Sequence, residues 1–164
     1  MKAIVVTDQA AGTAGMTLVE RPEPQAAMND VVVQVHASGF TWDELSWPST
    51  WTDRLGRDRT PSIPGHELAG VVTALGYGTR GLSVGQRVFG LTDWTRDGTM
   101  AEYAAVEARN LAPLPGDVDF TSRRRQSVGT SELQRSGDGT RTHDVQLGKL
   151  AFYQLNYARE VCVR

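Results

Sequence analysis

His66 and Glu67 set an imidazole beside a carboxylate, behind a stiffened approach of Pro61, Pro64 and Gly65. An imidazole can ligate a metal or hold a proton near neutral pH. Upstream, Thr41-Trp42-Asp43-Glu44 places a hydroxyl, an indole and two acids in an aromatic turn that also holds Leu45 and Trp47. Such a turn, leaving an apolar strand, suits a pocket wall; Trp42 and Trp47 as core residues are the alternative. Asp43 can start a short helix as its N-cap. Trp94, on the loop from Gly90 to Gly98, can reach the same pocket. Catalytic zinc needs three protein ligands and an open position. The single cysteine, Cys162, excludes both an internal disulfide and a multi-thiolate zinc site. His66 is thus the metal candidate, with a hydrogen-bonded residue orienting the pocket as its alternative role, and Glu67 could pair with an arginine or line the cleft.

Strands must position these groups. Residues 2–7 and 16–21 read as short strands, the second stopped by Pro22 and Pro24. Asp30 opens a valine-rich run through Ser38, a long half-buried strand on which His36 reads as a solvent-side or hydrogen-bonded residue before a catalytic one. The stretch around His66 reads as a hairpin with the polar pair at its start. One strand lies near 68–75, a glycine-rich turn through 76–86, and a return strand near 86–91. Val71, Val72 and Val88 suit a pleated surface. The alternating charges of 49–60 predict a solvated loop or short helix. Further strands are expected over 99–106 (or a short helix) and 109–115.

Gly76-Tyr77-Gly78-Thr79-Arg80-Gly81 matches Gly-x-Gly-x-x-Gly literally. A dinucleotide site also needs a helix directly afterwards, whose N–H groups hold the pyrophosphate. Here Leu82 to Val88 has strand spacing and an early Gly85, so these glycines read as a turn.

The chain has 164 residues and a net charge of −2, enough for one domain with a real core. That charge argues against nucleic acid as a partner. No apolar run approaches membrane-helix length, and Ala3–Val6 is too short for a signal-peptide core. A soluble protein of a reducing cytosol is expected.

Gly65-His66-Glu67-x-x-Gly70-x-Val72, then Gly76-x-Gly78 and Val84-Gly85-Gln86-Arg87-Val88, resembles the catalytic domain of the medium-chain dehydrogenase/reductase superfamily. The opening Met1 to Val6, the strand from Asp30 to Phe40, and Gly98-Thr99-Met100-Ala101-Glu102-Tyr103 add to the likeness, which runs to about Phe120. It implies a mostly β fold over 1–120: a GroES-like, partly open barrel with short helices. It implies an oxidoreductase transferring hydride from NADPH to a quinone, enone or carbonyl compound. By this resemblance Thr41 stands where zinc enzymes carry a cysteine and the quinone-reductase branch an asparagine, so a zinc-independent site is expected. The resemblance places Asp43 at a proton-relay position and Thr41 and Trp42 beside the nicotinamide. Trp42, His66, Glu67 and Trp94 then line the substrate side of the cleft.

Past residue 120 the family pattern continues into a dinucleotide fold; here it stops. Residues 121–164 carry eight basic and four acidic side chains, and Ser131 to Asp144 has Leu133 as its one large apolar residue. Such a stretch does not bury enough area to order itself. Leu147 to Val163 could form one amphipathic helix. This tail reads as aberrant sequence from a frameshift or misjoined exon near residue 122, so the expected enzyme would be truncated. The alternative function is a non-catalytic GroES-like module. Oligomeric state is left open.

Overall fold

The computed structural model describes residues 1–121. The expectations for the basic tail, its helix and its origin lie outside the described residues.

The described chain is mostly β, arranged as two sheets without a closed barrel. Strands β1 (Lys2–Val5) and β2 (Thr17–Glu20) form an antiparallel ribbon. The second sheet holds β3 (Asp30–Gly39), β4 (Glu67–Leu75), β5 (Arg87–Leu91), β6 (Tyr103–Glu107) and β7 (Leu111–Pro113). Its order is β6-β3-β4-β5-β7, antiparallel throughout. Helix is limited to the single turn α1 (Pro48–Trp51) and short 3-10 turns at Gly12–Gly15, Trp42–Ser46 and Ala108–Asn110.

Two apolar clusters hold the sheets. One gathers Val31, Val33, Leu68, Val72, Val88 and Val106. The other packs Ala3, Val5 and Val6 against Phe40, Leu45, Ile63 and Met100. Burying one such valine contributes about 1.5–3 kcal/mol. The second cluster matters most for position, because its members flank the polar turn and the approach to His66. Isolated bridges Ala3↔Ala101 and Val6↔Ser62 tie the ribbon to these loops.

Strand β3 begins as expected but is not regular. Its register against β4 shifts between Val32 and Val33 and between Val35 and Ala37. A bulge re-aims the side chains beyond it, and Ala37 to Phe40 are all buried. His36 falls in the second irregularity, exposed, with its ring stacked 4.4 Å from that of Phe120. The solvent-side reading of His36 holds.

The hairpin at the centre is present, with Glu67↔Leu91 through Val71↔Arg87 in register. The glycine-rich connection leads into strand β5 and not a helix, so it is a strand-to-strand turn. Two elements differ from expectation. Strand β6 starts only at Tyr103, because Thr99 and Met100 donate their N–H groups to Gly65 and Pro64 (2.8 and 3.0 Å). The turn after β3 starts two residues early: Thr41 and not Asp43 is its N-cap.

Candidate active site

Glu44 organises the site. Its side chain turns back to the start of its own 3-10 turn, where Oε1 accepts the Thr41 N–H at 3.0 Å. This is the reciprocal half of a capping box, with an acid three residues beyond the cap. Its second oxygen accepts the Gly65 N–H at 2.9 Å. One buried carboxylate thus joins the turn carrying Thr41 to the strand start carrying His66. Gly65 has φ +87°, and a Cβ there would stand 2.9 Å from Thr99 Oγ1 and 3.1 Å from the Gly39 carbonyl. Only glycine meets both demands without strain.

His66 is 6% exposed. Its N–H donates to Gly39 (3.2 Å) and its carbonyl accepts from Thr92 (2.7 Å), fixing the backbone on both sides. Nδ1 lies 3.0 Å from Thr92 Oγ1, and Nε2 lies 3.8 Å from Glu44 Oε2. Burial pushes its pKa down to about 4, and the nearby Arg59 guanidinium pushes the same way against Asp93. The ring is therefore neutral at physiological pH. Glu44 is shifted in the opposite direction. Burial raises its carboxyl above the usual range, the Thr41 and Gly65 N–H groups pull it back, and the Glu67 charge raises it further.

An aromatic stack covers the imidazole. Trp47 and Trp94 lie 4.5 Å apart at 11°, and each ring centre is 6.1 Å from that of His66. Trp94 remains half exposed, so the stack has an open end. Arg59 steadies it from behind, donating to the carbonyls of Ser49 and Trp94.

The structure brings together His66, Trp94, Glu44 and Trp47. Thr41 joins them through its N–H. Trp42 is 71% exposed and lies outside the stack, so it is not a core residue. Asp43 is half-buried, and its carbonyl accepts from Ser46 Oγ at 2.7 Å. Glu67 is half-buried at the start of β4, where its carbonyl accepts from Thr99 Oγ1 at 2.9 Å. Among the described residues no arginine pairs with Glu67, so that expectation fails. Sequence reasoning gave Glu44 no role of its own within the turn and passed over Thr92. Thr41-x-x-Glu44 was a legible capping signal for the first; nothing local marked the second.

The donors do not fit zinc. Among the described residues no three of His, Cys, Asp and Glu gather at one point. Glu44, the carboxylate nearest His66 Nε2, already uses both oxygens on backbone N–H groups. Thr41 carries a neutral hydroxyl, which is a poor zinc ligand.

The family model for the alcohol dehydrogenase GroES-like domain matches residues 27–116. The chain belongs to this family. These domains place it in the medium-chain dehydrogenase/reductase superfamily. Among curated relatives, L-threonine 3-dehydrogenase of Ruegeria pomeroyi is 29% identical, with 63% of this chain and 37% of that protein covered. The enzyme of the same name from Saccharopolyspora erythraea is 38% identical, covering 55% of this chain and 25% of the relative. The GroES-like chain thus spans well under half the length of these relatives. Among solved structures, an alcohol dehydrogenase superfamily protein from Novosphingobium aromaticivorans is 33% identical (TM-score 0.61, 74% of this chain and 36% of that one). A mycobacterial protein solved with NADPH is 27% identical (TM-score 0.62, 74% and 36%). Among the described residues of this GroES-like domain no helix is long and apolar enough to cross a membrane.

Proposed function

We propose that this GroES-like domain is the substrate-side half of a zinc-independent, NADPH-dependent oxidoreductase acting on a quinone, enone or carbonyl compound. The observation that carries this is the neutral His66, held by Thr92 and backed by Glu44, under an open-ended stack of Trp47 and Trp94. A planar acceptor can lie on the exposed face of Trp94, since offset aromatic stacking adds about 0.5–1.5 kcal/mol beyond area burial. The imidazole beneath the stack is then a neutral hydrogen-bonded support and not a charge. Bound NADPH would supply the hydride. Thr41 and Trp42, on the turn fixed by Glu44, would border the nicotinamide, and Asp43 beside them would hold the proton. The likeness to a structure solved with NADPH supports the cofactor. The donor set around His66 supports the zinc-free reading.

The test is a titration of the chelator-treated protein with NADPH, followed by tryptophan emission. A weak but saturable quench is expected, reduced in Trp94→Leu and retained when a fully methylated 1,4-benzoquinone is bound beside the cofactor. Quenching that rises linearly and is unchanged in Trp94→Leu would contradict the proposal. It would leave a non-catalytic GroES-like module. Stoichiometric zinc in the purified protein would contradict the zinc-free part by itself.

A further inference from the structure

A groove of about 710 Å³ runs away from the stack along β5 and the residues beside β7. It begins at Thr92 and Trp94, both already part of the His66 site. Its walls carry Phe89 (44% exposed), Leu91 (49%) and Leu111. Phe89 and Leu91 alternate with Val88 and Gly90, so they stand together on the outer face of β5. At Gly90 the Asn110 carbonyl lies 2.1 Å from where a Cβ would be. Gly90 is directed away from the face that carries the two apolar side chains, so this approach sets how closely the turn before β7 packs on β5.

The charges at the groove decide what it can hold. Three charged residues line it: Asp93, Glu107 and Arg109. Each is already neutralised locally. Asp93 pairs with Arg54, and Glu107 pairs with Arg109 at 2.6 Å. Among the described residues no unpaired charge faces the groove to meet an anionic or cationic tail. The volume also exceeds what a bare quinone ring or small enone fills; it lies in the range of sites for drug-sized ligands.

We propose that this groove is a subsite for an uncharged, extended apolar tail on the substrate, with Phe89 and Leu91 as its specificity-determining residues. This rests on the reading of the His66 site as the place where the reacting ring binds. The favoured substrate class is then an alkyl-substituted quinone or long-chain enone, and not the unsubstituted parent. Each methylene laid against Phe89 or Leu91 leaves water, which is expected to tighten binding by about four-fold per fully buried CH₂.

The test uses the whole chain and a series of trimethyl-1,4-benzoquinones whose fourth ring substituent is a straight alkyl chain of increasing length. Affinity is read from tryptophan emission, for the wild type and for Phe89→Ser/Leu91→Ser. Both side chains are solvent-exposed, and retained thermal unfolding of the double variant confirms that it is folded. The expected result is affinity that climbs with tail length in the wild type. In the double variant the climb flattens while the parent quinone binds as before. If the parent binds but length has no effect, the subsite is overturned and the reading of the His66 site stands. If no member of the series binds, the reading of the His66 site fails and the subsite with it. If sedimentation shows a wild-type dimer that the double variant abolishes, the face is a contact between copies, and the tail subsite is likewise overturned.

Discussion

Glu44 and Gly65 are joined by a buried 2.9 Å hydrogen bond that spans 21 residues of sequence. The same carboxylate caps Thr41, so the turn and the strand start of the site share one anchor. In Glu44→Gln the amide nitrogen must face one of the two N–H groups, which is left without an acceptor. A loss of about 1–3 kcal/mol is expected. It should appear as a lower urea midpoint with an unchanged m-value. An unchanged midpoint would show that the carboxylate does not hold the two segments.

His66 gives the protein a pH dependence of definite sign. Its pKa is about 4 folded against 6.5 for a free imidazole. Between these values the unfolded chain binds a proton that the folded protein refuses. The contribution is fully present above pH 6.5 and is lost as pH falls to about 4, some 3 kcal/mol in all. Glu44 works in the other direction, since its folded pKa is raised. Its contribution is present at low pH and is lost as pH rises through that value. His66→Gln removes the first effect and leaves the second. Denaturant midpoints across this range should therefore fall less steeply with acid in the variant; identical slopes would contradict the burial of His66.

Gly65→Ala is expected to destabilise by about 2 kcal/mol or more, from the left-handed backbone and the crowding against Thr99 and Gly39. Gly81, also at positive φ but with nothing within 4 Å of its would-be Cβ, is the comparison. Gly81→Ala should cost only the backbone strain. Equal losses in thermal denaturation would place no weight on the close approach at Gly65.

Asp30 is 3% exposed and accepts two hydrogen bonds from Arg96, at 2.6 and 3.2 Å. That hydrogen bonding to Asp30 outweighs burial and raises the Arg96 pKa further. The pair pins the start of β3 to the loop beyond Trp94. Arg96→Met strands a buried carboxylate and should cost about 3–5 kcal/mol. The double variant Asp30→Asn/Arg96→Met should recover part of this. A single variant as stable as the wild type would mean that water reaches Asp30.

The strands were legible because valine alternation and glycine punctuation are local signals, and the hairpin from Glu67 to Leu91 carries both. Its polar start was also legible, since His66 is unusual behind Pro64 and Gly65. What the sequence hid was contact between distant segments. Thr92 meets His66 across 26 residues, and Trp47 meets Trp94 across the whole 50s loop. The bulges in β3 that bury Ser38 and Gly39 come from pairing with β4, which no propensity of β3 alone encodes. Asp43 drew attention through its acid and its family position, while Glu44, one residue on, took the buried place because the cap is Thr41.

The central claim is an aromatic, metal-free substrate site at His66 and Trp94. The most direct measurement is NMR of the ring-nitrogen-labelled histidines and tryptophan indoles during titration with fully methylated 1,4-benzoquinone. That quinone has no free ring carbon for Cys162 to attack. The His66 and Trp94 signals should shift and saturate together, in chelator-treated protein, while His36 stays in place. Signals of His66 that stay fixed, or that move only when zinc is added, would contradict it.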